Sequence, residues 1–241
     1  MKKILVTILV VVGVMSGSAQ KVEECLYSLN DELKLFESFY VKEGTTLKFQ
    51  RIIELENSKK TKDQIYYMTK EFIVKNYGDA NKVTQLDDKE KGRIIVKGLM
   101  CDITCGCSQI VFSGSAMEYT TTHILQIDMK DNRVRITLTL TDIEQKSGGV
   151  SCGTTYVPLK YTKFNITDLY PFRTSCTVFS SNHSLGWYPK PGSKMQHKGE
   201  IHEGYVMLKI LNRTINTLDY LEKYFKTSVP NNLNVDNEED W

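Results

Sequence analysis

Histidine, long hydrophobic runs and an excess of charge of either sign are all scarce in this chain of 241 residues. Basic and acidic side chains number 31 and 29, a formal charge of only +2. A balance this even supplies no field to gather nucleic acid or an anionic membrane. One apolar run stands out, Ile4 to Met15, and it is shorter than the ~20 residues a bilayer-crossing helix needs. The four histidines are His123, His183, His197 and His202, and the last two are spaced wrongly for paired ligands on one helical turn.

Catalytic signatures are missing too. There is no G-x-S-x-G elbow, and Ser113-Gly114-Ser115 lacks the flanks of an α/β-hydrolase turn. There is no C-x-x-C redox pair and no glycine-rich loop to cradle phosphate. The acidic stretch at 87–92 is too short to supply the oxygen ligands of an EF-hand. No catalytic residue, cofactor or metal is therefore expected.

What is present starts at the N-terminus. Lys2 and Lys3 precede the apolar run, and Gly17-Ser18-Ala19 puts small residues after it. That order predicts a cleaved signal peptide over 1–19 and a mature chain starting at Gln20, periplasmic or secreted. The two lysines leave with the signal, so the formal charge falls to zero. Export also implies an oxidising compartment. Cys25, Cys101, Cys105, Cys107, Cys152 and Cys176 are accordingly expected in disulfides, with the pairing open. Zinc is disfavoured, because Cys101, Cys105 and Cys107 crowd into one cluster instead of two separated knuckles.

Periodicity then orders the chain. Leu26, Leu29, Leu33, Phe36 and Phe39 recur at steps of three and four, which predicts an N-terminal helical segment within 20–44, ending near Gly44. Leu47, Phe49, Ile53 and Leu55 mark a strand. Thr61 and Gln64 form a capping box ahead of a helix that buries Ile65, Met68, Phe72 and Ile73 and stops at Gly78. Two short strands follow, around Val83–Leu86 and Arg93–Leu99. A clear hairpin joins Glu118–Met129 to Val134–Leu140. Four of the five prolines fall within 144–202, where periodicity fails apart from short strands near 155–164 and 174–179. A strong helical stripe returns from Leu208 to Phe225, and residues 227–241 read as a loose acidic tail. Antiparallel hairpins exclude a Rossmann sheet. The predicted fold is α+β in two layers: a twisted antiparallel sheet over 45–226 with two helices on one face, interrupted by the Pro/Gly/aromatic insertion 144–202.

Particular residues add a likeness. They are Ile52-Ile53-Glu54-Leu55, then Lys62-Asp63-Gln64-Ile65-Tyr66, and the helix end Phe72-Ile73-Val74-Lys75-Asn76-Tyr77. The run from Val83 through Asp87-Asp88-Lys89-Glu90-Lys91-Gly92 to Gly98, and the strand Arg133–Leu140 with Thr141-Asp142, complete it. Over about 45–142, with the last helix fitting by position, the chain resembles the Bacteroidetes domain-of-unknown-function family DUF4468, which has a TBP-like fold. The resemblance implies an exported protein and carries no catalytic residue, because the family's activity is not established. A TBP-like topology does not imply DNA binding. The clustered cysteines, the insertion and the N-terminal helix lie outside the family's pattern.

The expected function is binding. In this reading an exported, non-enzymatic protein meets a protein or carbohydrate ligand at the bacterial envelope, using aromatics held by rigid prolines: Trp187, Tyr188, Tyr170 and Phe172. Asp87, Asp88 and Glu90 are candidates for a cation or partner contact, against the simpler role of a solvated turn. His123 is expected to be a partly buried, satisfied histidine. One alternative is a hydrolase with a site built from His183, His197 or His202 and nearby acids. The other is a purely structural envelope protein.

Overall fold

The computed structural model describes residues 19–55, 59–104, 118–147, 150–152, 155–169 and 194–228. Alternation of side chains dictates its centre. In β5 (Glu118–Lys130) every second residue from Tyr119 to Met129 is buried, and β6 (Arg133–Ser147) answers with Val134, Ile136, Leu138 and Leu140. The turn between them is Asp131-Asn132, with Asn132 in the left-handed region that asparagine tolerates (φ 56°). β4 (Arg93–Thr104) pairs with β5, and β3 (Thr84–Asp88) forms the edge beyond β4. On the other side β2 (Thr46–Glu54) pairs with β6, and β1 (Tyr40–Glu43) closes that edge. The order is β1-β2-β6-β5-β4-β3, antiparallel throughout.

Chain beyond β6 returns to this sheet. A small hairpin, β7 (Val150–Cys152) with β8 (Thr155–Val157), leads to β9 (Lys160–Asn165). β9 pairs with Asp142–Ser147 of β6, whereas β2 pairs with Arg133–Leu140. The two strands therefore share one lane end to end, and pairing passes from one to the other at Thr141.

Helices cover one face. α2 (Lys62–Asn76) starts at the expected capping box: Gln64 N donates to Thr61 Oγ1, and Thr61 N donates to Gln64 Oε1. It buries Ile65, Met68, Phe72 and Ile73, as their spacing requires. A single helical turn, α3 (Ala80–Val83), follows, and α4 (Lys194–Thr227) returns along the same face. Phe72 meets Tyr220 and Tyr224 with ring centroids 5.9 and 5.5 Å apart, and Tyr224 Oη donates to the Met68 carbonyl at 3.1 Å. α1 (Ala19–Phe36) packs against α4 and adds Leu29, Leu33 and Phe36 to the core. No described helix is long and apolar enough to cross a membrane.

The two-layer α+β fold expected from the sequence is the one observed. Several boundaries differ. The N-terminal helix stops at Phe36, because Tyr40–Glu43 form β1 and Gly44 (φ 61°) closes a hairpin instead of ending a helix. Tyr77, in extended backbone, ends α2, so Gly78 needs no positive φ. α4 begins at Lys194, about four turns ahead of Leu208, where the apolar stripe that marked it starts. Of the two short strands expected after 150, the first is seen as β8 and β9, and the second lies outside the described residues.

Two polar contacts lock α4 to the sheet. Arg51 reaches from β2 to Asp219 at 2.5 Å and Glu222 at 3.1 Å. Lys60, only 4% exposed, donates to the Phe225 carbonyl at 2.6 Å, within the last turn of the helix. A cation there satisfies an orphan carbonyl and complements the helix dipole, although burial pulls the Lys60 pKa down. Lys60→Met should retain the packing of the stem and lose the bond. A stability loss of about 1–2 kcal/mol is expected in urea unfolding, and an unchanged midpoint would refute the capping role.

Candidate functional site

The acidic motif resolves into two separate contacts. Consecutive strand residues project to opposite faces, so Asp87 and Asp88 diverge. Asp87 turns to α2 and accepts from Tyr66 Oη at 2.7 Å and Lys70 Nζ at 2.6 Å. Burial pushes its carboxyl up, but the bonds from Lys70 and Tyr66 outweigh burial and hold it below the usual range. Burial and the same bond raise Tyr66 to about 12. Asp88 instead accepts from Lys91 N at 2.9 Å, which closes the turn and lowers its pKa. Glu90 contributes its carbonyl, which accepts from Lys62 Nζ at 3.0 Å. Lys89 lies 4.8 Å from the Tyr67 ring centroid and 5.7 Å from that of Tyr66, a cation–π contact at the surface. Asp87 and Asp88 are thus held apart, and no three His, Cys, Asp or Glu side chains converge among the described residues.

Beside Asp87 runs a groove of about 330 Å³ between α2, α3 and β3. It is lined by the Lys70–Asp87 pair, by apolar Ile73, Val74 and Ala80, and by polar Asn81 and Thr84. Its volume is at the small end of ligand-binding clefts. Sequence periodicity located α2 but gave no sign of this groove, because α3 and β3 create it only by packing.

Among the described residues, no element packs over the sheet face turned away from the helices. Toward its β5–β6 turn end lies a network around Asp128, which accepts from Arg93 Nε at 2.5 Å, Gln126 Nε2 at 2.9 Å, and Arg135 Nε and Nη2 at 3.0 and 2.9 Å. Burial pushes the Asp128 carboxyl up, and these donors more than reverse that. Asp128→Asn removes the charge between two guanidinium groups. It should cost about 1–2 kcal/mol in chemical denaturation at pH 7, and a neutral result would show the network to be solvent-screened. Farther along the same face stand Thr120, Thr122, Thr139 and Thr141, all half-buried. Exposed Leu99 (61%) lies opposite Thr122 and exposed Tyr161 (57%) opposite Lys146, whereas exposed Ile52 (49%) lies opposite Arg135 at the Asp128 end. Both edges of the sheet are blunted. β3 is five residues long with a register irregularity and two aspartates, and β1 is four residues long and carries Lys42 and Glu43.

His123 is buried on the helix side of β5, as its strand face implied. Its Nε2 lies 3.0 Å from Tyr77 Oη, and burial drives its pKa down to about 4 and that of Tyr77 up to about 12. Its Nδ1 has no partner, so it is only half satisfied. Gly98 makes room: a Cβ there would lie 2.6 Å from Tyr77 Cε1 and 2.7 Å from His123 Cε1.

The remaining expected site residues are not brought to this surface by anything described. Tyr170, Phe172, His183, Trp187 and Tyr188 lie outside the described residues, as do Cys105, Cys107 and Cys176. The same holds for the side chains of Cys25, Cys152, His197 and His202, which fall on α1, β7 and α4. Cys101 is exposed with a free thiol, so the disulfide expected at this position is not formed in the structure.

Comparison with known proteins follows the same lines. Residues 49–144 match the model of the family described as "Domain of unknown function (DUF4468) with TBP-like fold". A crystal structure of a TBP-like protein from Parabacteroides distasonis is similar, with 14% identity, a TM-score of 0.43, and coverage of 78% of this chain and 98% of its own. So is that of a DUF4468 family protein from Bacteroides ovatus, with 11% identity, a TM-score of 0.41, and coverage of 80% and 92%. No curated protein matches the chain.

Proposed function

We propose, from the premise that residues 49–144 are a DUF4468 domain of TBP-like fold, that this is an exported, non-enzymatic binding protein whose ligand is a protein or carbohydrate at the bacterial envelope. The observation that carries the reading is the open sheet face. Helices cover one side of the sheet, and the other presents threonine hydroxyls near exposed Leu99 and Tyr161, with exposed Ile52 toward the Asp128 end. A flat face of mixed hydroxyl and apolar groups suits recognition, because it offers contact area and hydrogen bonds without a reacting centre. The blunted edges direct a partner to the face rather than to strand addition. The sequence signals for export and for presented aromatics, Trp187 and Tyr188, support the same reading.

The test uses the full-length protein expressed in a member of the Bacteroidetes. Fractionation should place it in the periplasm or medium with Gln20 as first residue. Cross-linking in intact cells and a glycan array should each be run on wild type, an Ile52→Glu/Leu99→Glu pair and a Trp187→Ala/Tyr188→Ala pair. The reading expects a defined envelope protein or glycan to be held by wild type and lost at least tenfold by one of the pairs, with the circular dichroism spectrum preserved. Retention in the cytoplasm would end the export claim. Hydrolytic turnover lost on changing His183, His197 or His202 would favour the enzyme alternative. A partner-free protein needed only for envelope integrity would favour the structural one.

A further inference from the structure

We propose that Thr121 and His123 form a buried binding site for a single water molecule, which fixes the imidazole as its Nδ1–H tautomer. Both residues point into the core from one face of β5 and are 0% and 6% exposed. Thr121 Oγ1 and His123 Nδ1 are buried, and neither has a hydrogen-bond partner in the protein. Leaving two such atoms unpaired in the core is costly, so a shared partner is strongly favoured. Residues two apart on a strand are separated by about 6.7 Å of rise. A water bonded to both side chains spans roughly 5.6 Å, twice a hydrogen-bond length, a span comparable with that rise.

The surroundings choose the ligand. The ladder departs from regular register on both flanks of Thr121, between Met100 and Ile103 on β4 and between Thr121 and His123 against β6. Such irregularities loosen strand packing and free backbone groups for a third bond. No three His, Cys, Asp or Glu side chains converge among the described residues, which argues against a metal. A charged ligand would be costly beside a histidine that burial holds neutral. Tyr77 then sets the tautomer. Its hydroxyl lies 3.0 Å from Nε2, and in the proposed arrangement it donates to that nitrogen. The imidazole proton is left on Nδ1, where the water accepts it and bonds in turn to Thr121.

Long-range ¹H–¹⁵N correlation of the imidazole in ¹⁵N-labelled wild-type protein at pH 7 is the deciding measurement. The expected result is the Nδ1–H pattern with a slowly exchanging Hδ1 that shows a direct Overhauser contact to a long-lived water. Thr121→Val should remove that contact and raise the Hδ1 exchange rate at least tenfold, and Thr121→Ser should preserve both. An Nε2–H tautomer, an Hδ1 without water contact, or exchange unmoved by Thr121→Val would overturn the proposal. The wild-type spectrum alone decides the tautomer and the water if the valine variant does not fold.

Discussion

Gly92→Ala should destabilise the fold by about 3 kcal/mol, through two additive causes. Gly92 sits at φ +62°, where an L-residue is strained by about 1–2 kcal/mol. Its new Cβ would also lie 2.5 Å from the Met129 carbonyl oxygen and 3.1 Å from Lys62 Cδ. The lysine stem can move, but the Met129 backbone is held, because Met129 lies in the β5–β6 ladder and its N–H donates to the Gly92 carbonyl at 2.7 Å. Overpacking of this kind costs about 1–3 kcal/mol. Gly44 is the internal control. It has nearly the same conformation, φ +61°, with nothing within 4 Å of its would-be Cβ. Gly44→Ala should therefore show only the conformational cost, about 1 kcal/mol. Equilibrium unfolding in guanidinium chloride separates the two. Equal losses would show that the close approach to Met129 is relieved elsewhere and that the turn is not the rigid joint between β3, β4 and β5.

That turn illustrates what residue patterns disclose and what they leave out. Asp87 to Gly92 stood out in the sequence, and Gly92 ends the turn as expected. The division of Asp87 and Asp88 between two faces follows from strand pleating alone. That Asp87 would meet Tyr66 and Lys70 does not, because the contact depends on where α2 lies over β3. The β5–β6 hairpin and α2 were legible, since each announces itself within a dozen residues, by alternation and by the Thr61–Gln64 cap. β1 was hidden because Phe36 and Phe39 continue a helical spacing into Tyr40–Glu43, which pair with β2 only across the Gly44 turn. β9 was partly visible as a β-rich stretch, yet its place in β2's lane is a long-range pairing with no local signature. His123 was correctly assigned to a buried face. Its partner Tyr77 lies just past the end of α2, outside the helical stripe that periodicity detects.

Acid should expose His123 as a weak point of the core. A histidine whose pKa falls from 6.5 to about 4 on folding is held neutral in the native state and charges readily once unfolded. Between those values the unfolded chain binds more protons, so stability must rise with pH across the window and fall as pH is lowered from about 6.5 to about 4. A difference of this size corresponds to about 3 kcal/mol lost across the window, at about 1.36 kcal/mol for each pH unit. The carboxylates with depressed pKa, Asp87, Asp88, Asp128, Asp142 and Glu71, weaken the fold at more acidic pH, as it falls through unfolded values of 3.8 for the aspartates and 4.5 for Glu71. The higher part of the window, above pH 5, therefore isolates the histidine among these groups. His123→Gln removes the titration while keeping a polar side chain for Tyr77. The variant should lose stability at pH 7 yet show a flatter profile between pH 5 and 6.5, in urea unfolding at closely spaced pH values. Gly98→Ala adds the geometric side of the same argument. Its Cβ would lie 2.8 Å from His123 Nε2, the atom bonded to Tyr77, and should cost about 2 kcal/mol in wild type. The cost should shrink in a His123→Ser background, where the ring that Gly98 accommodates is gone. A pH profile unchanged by His123→Gln would place the acid sensitivity elsewhere, and a Gly98→Ala cost that persists in the serine background would assign it to Tyr77 alone.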